Sequence, residues 1–403
     1  MSENLQEFLQ YAYENAPAIK EIFDRASLRP EEIQTRADLD KIPITSKDRL
    51  AELQQANPPF GGFLAVPLSD LEHIFLSPGP LYEPHAGGSP TLGSLKEILE
   101  IAGFKAGDVV LNTFGYHLIP TGLAVDETLR EMGATVIAAG VGNADLIIKM
   151  MRDLGVTGYV GTPSWLMALI QKAEAAGVNV NEELSLQKAL VSAEPLPPSL
   201  RKTFVEDYGM QITNAYGTAE LGFLSYNIDG AAAMPLLESS IIQIVDPETG
   251  KSVAAGEVGE VVVTTFNRTY PLIRLGTGDL ALNIDPAPGQ SKQGERAIKL
   301  VGRVGDAVKV RGMFLHPNQL RVSVAQNPQV ARFQALITRT ANRDNFILRI
   351  LTAGETADKD ALQAALAESV RSACRIKVDR FDFVSAEALP EDAPLIADER
   401  TWE

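Results

Sequence analysis

One cysteine, Cys374, and four histidines in 403 residues leave little material for cross-linking or soft-metal chemistry. A single thiol excludes a disulfide framework, a four-cysteine zinc site and an iron–sulfur cluster. His73, His85 and His316 share no metal-ligand spacing, and no Ser/His/Asp order stands out. Long apolar runs are also missing. No stretch approaches the roughly 20 residues needed to span a bilayer. The first residues mix acids among apolar positions, without the basic start and apolar core of a signal peptide, so a cytoplasmic location is expected. Positive charge is short as well, with 36 Lys and Arg against 52 Asp and Glu and a net charge of −16. That balance argues against duplex nucleic acid or an anionic membrane as partner, yet leaves room for a nucleotide in a small, locally positive pocket. What is present is an ordinary globular mixture, 45% hydrophobic and 22% charged. At about 150 residues per domain, the chain has the length of two or three domains.

Leu5, Phe8, Leu9, Ala12 and Tyr13 recur at helical spacing, and Pro30-Glu31-Glu32 reads as the first turn of a further helix. Pro43 with Thr45 and Ser46 restarts a helix over 47–55. Between 57 and 90 proline and glycine are so dense that only short strands and loops fit. From 105 onward strands and helices alternate. Strands are expected at 109–111, 135–138, 158–160, 188–192 and 211–215. Helices are expected at 121–132, 144–154, 164–176 and 199–208, each followed by a glycine. This alternation predicts an α/β fold with a doubly wound, mainly parallel sheet. After 239 the strands 241–245 and 259–265 read as antiparallel around turns, 285–294 as a polar loop, and 297–301 with 307–310 as a hairpin. Beyond Pro317 a helix (318–326), two strands (333–338 and 345–352), a helix (357–374) and a strand (377–383) predict a small α+β module. The expected division is a large domain over 1–302, a hinge at 303–306 and a small domain over 307–403.

Three segments combine glycine, hydroxyl and acid beyond the needs of a core. Asn214-Ala215-Tyr216-Gly217-Thr218-Ala219-Glu220 follows a predicted parallel strand, and the carboxyl ends of such strands open onto the ligand crevice. A tyrosine face suits a base, a threonine hydroxyl a phosphate, and a carboxylate Mg²⁺. The plainer reading is a strand-to-helix turn capped by Thr218, with Glu220 on the helix dipole. Arg274-Leu275-Gly276-Thr277-Gly278-Asp279 places two glycines before an acid, which allows a tight backbone and a carboxylate oriented at ribose hydroxyls, or simply a structural turn. The stretch 301–312, rich in glycine and charge, reads as a hinge or an exposed hairpin. Phe114-Gly115-Tyr116-His117 suits an acyl pocket, though a lone histidine is more often structural. Ala193-Glu194-Pro195 ends another parallel strand beside the same crevice.

In order along the chain, these segments resemble the phenylacetate–CoA ligase branch of the adenylate-forming (acyl-CoA synthetase, AMP-binding) superfamily. The resemblance also includes Ile42-Pro43-Ile44-Thr45-Ser46-Lys47, Gly161-Thr162-Pro163-Ser164 and Gly302-Arg303. It implies a large N-terminal domain, a small mobile C-terminal domain and a two-step reaction. A carboxylate attacks the α-phosphate of ATP to give an acyl-adenylate, and coenzyme A then displaces AMP. By resemblance Tyr216 stacks on adenine, beside a wall formed by Ala193, Glu194 and Pro195 and the strand residues Asn214, Ala215 and Gly217. Thr218 contacts the α-phosphate, Glu220 holds Mg²⁺, Asp279 and Arg303 take the ribose, and Tyr116 and His117 line the acyl pocket. The implied substrate is a small, aromatic or similar, carboxylic acid, and the implied assembly is a homodimer. Two departures stand out. The expected phosphate loop, 77–84, carries three prolines and Glu83 in place of a hydroxyl-rich, glycine-rich run ending near a lysine. After Leu389-Pro390, no lysine follows over 391–398. The competing expectation is therefore a non-catalytic or half-reaction homologue that binds AMP, an adenylate or acyl-CoA.

Overall fold

The computed structural model describes residues 4–77, 80–86, 91–304, 308–311, 313–315, 317–340, 343–354, 358–374 and 376–401. They fall into two compact units, Met1–Val304 and Gly305–Glu403.

In the larger unit, short apolar segments between glycine-stopped helices form a six-stranded sheet. Its order is Thr135–Ala138, Val109–Asn112, Gly158–Gly161, Lys188–Val191, Gln211–Thr218, Gly222–Asn227. The first five strands are parallel and the last is antiparallel. Lys188–Val191 is buried at all four positions, as a strand covered on both faces must be. Helices Ala144–Asp153 and Pro163–Ala175 bury Ile147, Met151, Leu166 and Ile170 in one core. Leu95, Ile98 and Leu99 of Thr91–Ile101 join Val125 and Leu129 of Pro120–Glu131 in a second core. Two helical layers on one sheet are the doubly wound α/β arrangement.

Several sequence expectations change in detail. The 214–220 segment does not turn into a helix: the 211–218 strand runs on through Thr218 and folds back as an antiparallel hairpin with Gly222–Asn227. The helix expected over 199–208 is Pro198–Lys202 continued by a wider single turn, Thr203–Asp207. Pro30–Glu32 is one 3₁₀ turn. The strands of the expected 297–310 hairpin do not pair with each other. Ala297–Arg303 pairs with Leu275–Ile284, while Val308–Val310 pairs with Met313–Leu315. The short strands expected over 57–90 include His73–Ser77 and Leu81–His85, which pair antiparallel, whereas helix Thr91–Ile101 was not anticipated.

A second sheet in this unit runs Met234–Pro235, Ala297–Arg303, Leu275–Ile284, Val258–Thr265, Ser240–Val245, all antiparallel, and Thr45–Ser46 joins Leu275–Gly276 in parallel. Its apolar face packs on the N-terminal helices through Phe8, Leu9, Ile19 and Phe23. Arg274 is 1% exposed, and its guanidinium donates to the carbonyls of Leu39 (3.0 Å), Ile42 (2.6 Å) and Gly250 (2.6 Å). Its own carbonyl accepts from the Thr45 N–H. The arginine of the 274–279 segment is thus a clamp that fixes the chain leading to Lys47.

The smaller unit has a four-stranded sheet, ordered Arg380–Phe383, Arg343–Thr352, Val330–Thr340, Ile396–Asp398. Helices Pro317–Ala325 and Lys359–Cys374 contribute Leu320, Leu362, Leu366 and Val370 to its core. The Ile396–Asp398 strand, parallel to Val330–Thr340, was not foreseen. Of the expected hinge, 305 and 306 lie outside the described residues. Among the described residues, no helix is long and apolar enough to cross a membrane.

Candidate nucleotide site

The carboxyl ends of Lys188–Val191 and Gln211–Thr218 lie side by side, Val191 opposite Asn214. After the first of them the chain turns through Ala193, whose φ of 73° is a left-handed conformation for a residue with a Cβ. Strain of this kind persists where the surroundings fix it, and it clusters at ligand sites. Here the Ser192 hydroxyl donates to the Ala215 carbonyl at 2.7 Å, and Glu194 accepts from the Ser164 N–H at 2.7 Å at the start of helix Pro163–Ala175. Pro195 is exposed beyond them.

On the neighbouring strand the ladder shifts register between Tyr216 and Gly217. A Cβ on Gly217 would lie 2.4 Å from the Gly222 carbonyl oxygen, so only glycine allows this hairpin to close. The bulge aims Tyr216 at the second sheet. Its hydroxyl donates to Asp279 Oδ2 at 2.8 Å and lies 3.4 Å from Thr277 Oγ1. Asp279 Oδ1 meets Arg303 Nε at 2.9 Å, across the ladder that pairs these two residues. Burial, and then the Asp279 carboxylate, hold the Tyr216 phenol well above its ordinary pKa, so it stays a donor. Tyr216, Asp279 and Arg303, from three separate strands, therefore touch one another.

Past Thr218 the hairpin turn carries Glu220, whose side chain is 3% exposed and whose Oε2 meets Lys47 Nζ at 2.9 Å. Burial, the largest influence, pushes this carboxyl up, but the Lys47 ammonium together with the backbone and the nearby Thr218 hydroxyl leaves it below its usual value. Lys47 begins helix Lys47–Ala56, capped by Ser46, whose Oγ accepts from the Arg49 N–H at 3.1 Å. Gln54 of that helix pairs with both backbone groups of Tyr82, at 2.8 Å each, and donates to the Tyr270 hydroxyl at 2.9 Å. This amide fixes the hairpin strand on which Glu83 points inward. Glu83 is 3% exposed. Its pKa is pushed up to about 8 by burial and by the neighbouring Glu220 carboxylate, with Ser77 and Lys47 acting the other way. Among the described residues neither Glu83 oxygen has a well-formed hydrogen-bond partner, nor does Thr218 Oγ1.

The other expected residues sit elsewhere. Tyr116 accepts from Asn112 Nδ2 at 2.9 Å and donates to Asp126 at 3.0 Å, and His117 is exposed. Both follow the Val109–Asn112 strand, three strands along the sheet from Gln211–Thr218. Asn214 and Ala215 lie within the ladder. Of the expected phosphate loop, 78 and 79 lie outside the described residues; Ser77 pairs opposite Leu81 in an antiparallel ladder of His73–Ser77 with Leu81–His85. Lys47, Glu83 and Thr277 lay in segments singled out from the sequence but were given no role in the site, and Gln54 was not singled out. Lys47 left a signal, because a cation in a helix's first turn opposes the macrodipole. Glu83 left another, as an acid at an inward strand position.

The AMP-binding enzyme family matches residues 97–267. Phenylacetate-coenzyme A ligase of Thermus thermophilus is 29% identical over 361 residues, 86% of this chain and 80% of the relative. The Escherichia coli protein of the same name is 27% identical over 87% of this chain and 81% of its own. Along most of its length the chain is thus similar to phenylacetate-coenzyme A ligases, and over 97–267 to the AMP-binding enzymes. In fold it matches a 2-hydroxyisobutyryl-CoA ligase solved with its acyl-adenylate and CoA, with a TM-score of 0.89 at 22% identity, over 98% of this chain and 88% of that one.

No group of three or more acidic, histidine or cysteine side chains among the described residues is placed to hold a metal. Mg²⁺ needs fewer, since it is commonly held by one or two carboxylates plus substrate phosphates and water. Glu220 and the unsatisfied oxygens of Glu83 are hard donors that fit such an ion.

Proposed function

We propose that the chain is an AMP-forming acid–thiol ligase that activates a small carboxylic acid with ATP and passes the acyl group to coenzyme A. The observation that carries this reading is the Asp279 carboxylate, held between Tyr216 and Arg303 at the carboxyl end of the parallel sheet. An acid set between a phenol and a guanidinium is placed to accept two ribose hydroxyls, while the Tyr216 ring offers a face for adenine. Ala193, Glu194 and Pro195 would line the purine edge, and Thr218 would meet the α-phosphate. Bound Mg²⁺ would neutralise phosphate charge, with Glu220 among its ligands. Departure of pyrophosphate needs positioning and charge neutralisation more than an acid or base. The other residues therefore hold the nucleotide while the acid's carboxylate oxygen approaches the α-phosphorus.

An aromatic acid is the first substrate to try, because the relatives named above are phenylacetate ligases. Tyr116 and His117 remain the proposed lining of the acyl side, and 303–306 the proposed hinge between domains 1–302 and 307–403. The test is exchange of labelled pyrophosphate into ATP across a panel of acids with phenylacetate first. Exchange that needs both acid and Mg²⁺ is expected. Binding of AMP without exchange for any acid would assign the chain to the non-catalytic homologues instead.

A further inference from the structure

Glu83 is the least comfortable side chain in the larger unit. A buried carboxylate whose oxygens lack hydrogen bonds costs several kcal/mol in general, and a second carboxylate, Glu220, stands beside it. One ammonium, Lys47, faces the two acids. Nothing in the local fold requires an acid at this position, since Leu81 and Pro84 on the same strand are buried apolar residues. Yet the strand is held in register by both polar groups of Gln54, and Lys47 is fixed through the Arg274 clamp and the Ser46 cap. Such support around one unsatisfied acid and a neighbouring lysine-paired one describes a site completed by something brought from solution.

We propose that Glu83 and Glu220 together form a divalent-cation site, with the Lys47 ammonium standing in the cation's place when no metal is bound. The inference rests on the nucleotide-site reading above and adds to it a second carboxylate. It also gives a purpose to the buried acid on the Leu81–His85 strand. With one serine hydroxyl and three prolines over 77–84 to meet phosphate directly, the chain would rely on a metal held by two carboxylates, with the Lys47 ammonium turning to an anionic ligand. No covalent step is involved. Two carboxylate oxygens replace waters on the ion, and the ammonium moves from Glu220 to an anionic ligand.

The test uses the full chain, MnCl₂ as probe with and without AMP, free Mn²⁺ followed by electron paramagnetic resonance, and thermal melting of each variant. Wild type should bind Mn²⁺ saturably, and more tightly with AMP. Glu83→Gln should weaken Mn²⁺ binding by about tenfold or more, since even groups that only orient a metal's ligands carry about 10- to 100-fold in affinity. Its metal-free affinity for AMP should stay within about twofold of wild type, and its metal-free melting temperature should equal or exceed wild type, because an orphaned acid is gone. Lys47→Met should tighten binding of Mn²⁺ alone by removing the competing ammonium. Unchanged Mn²⁺ affinity in Glu83→Gln, or a joint loss of melting temperature and AMP binding, would overturn the second-carboxylate role. Weaker Mn²⁺ binding in Lys47→Met would overturn the place-holder role. If wild type binds neither AMP nor Mn²⁺, the nucleotide-site reading itself fails.

Discussion

The two corners of the candidate site are built on opposite principles. Around Asp279, every strong group has a partner: Tyr216 donates to one oxygen, Arg303 meets the other, and the Thr277 hydroxyl caps the Asp279 N–H at 3.0 Å. Around Glu220, one lysine faces two acidic side chains, and Glu83 and Thr218 keep buried oxygens without well-formed hydrogen bonds. The first corner is complete without a ligand, so a ribose there exchanges existing hydrogen bonds for new ones and gains specificity more than raw affinity. The second leaves buried oxygens unsatisfied, and the proposed cation with its phosphates would supply their partners.

That contrast can be broken most forcefully at the incomplete corner. Glu220→Gln should lower Mg²⁺-dependent turnover by about 10²- to 10³-fold, the scale of losing one strong electrostatic contact in a transition state, with an unchanged circular dichroism spectrum. A steady-state rate within a few-fold of wild type would dissociate Glu220 from the metal. At the complete corner, Asp279→Ala removes a charged acceptor, and hydrogen bonds to charged groups are worth about 1.5–3 kcal/mol. Calorimetry should find AMP binding weaker by about 10- to 100-fold, and equal affinity would remove the ribose from Asp279. The smallest effect lies outside both corners, in the smaller unit. Burial raises the Cys374 thiol from 9.0 to about 11. The folded state keeps that proton between pH 9 and 11 while the unfolded chain releases it, so stability falls as pH rises through this window. Cys374→Ala should flatten the alkaline part of the melting-temperature profile and leave nucleotide binding untouched. An unaltered profile would mean the thiol titrates alike in both states.

The parallel sheet was legible because its strands are short apolar runs closed by helices with glycine stops, a pattern few other architectures share. Tyr216 and Asp279 could be singled out because each follows or ends an apolar strand with glycine beside it. The partners of the metal corner were harder. Lys47 reads as a surface residue at a helix start, and only the Arg274 clamp and the Thr45–Ser46 pairing bring it against Glu220. Glu83 reads as a blemish in a phosphate loop, and its meaning depends on a neighbour from a distant hairpin. The turn at 214–220 was misread as a possible helix start because Thr218 and Glu220 suit a cap. The close approach of Gly217 to the Gly222 carbonyl, which decides for a hairpin, is a contact that spacing does not reveal. Tyr116 was placed correctly at a strand end, but strand order sets it three strands away, tied to Asp126.

A crystal structure of the chain with AMP bears most directly on the claim that these strands make one nucleotide site. The predicted result is adenine against the Tyr216 ring and the ribose hydroxyls on Asp279, with the Tyr216–Asp279 hydrogen bond exchanged for one to the sugar. AMP bound elsewhere, or bound here with Asp279 still held by Tyr216 and far from the ribose, would contradict it.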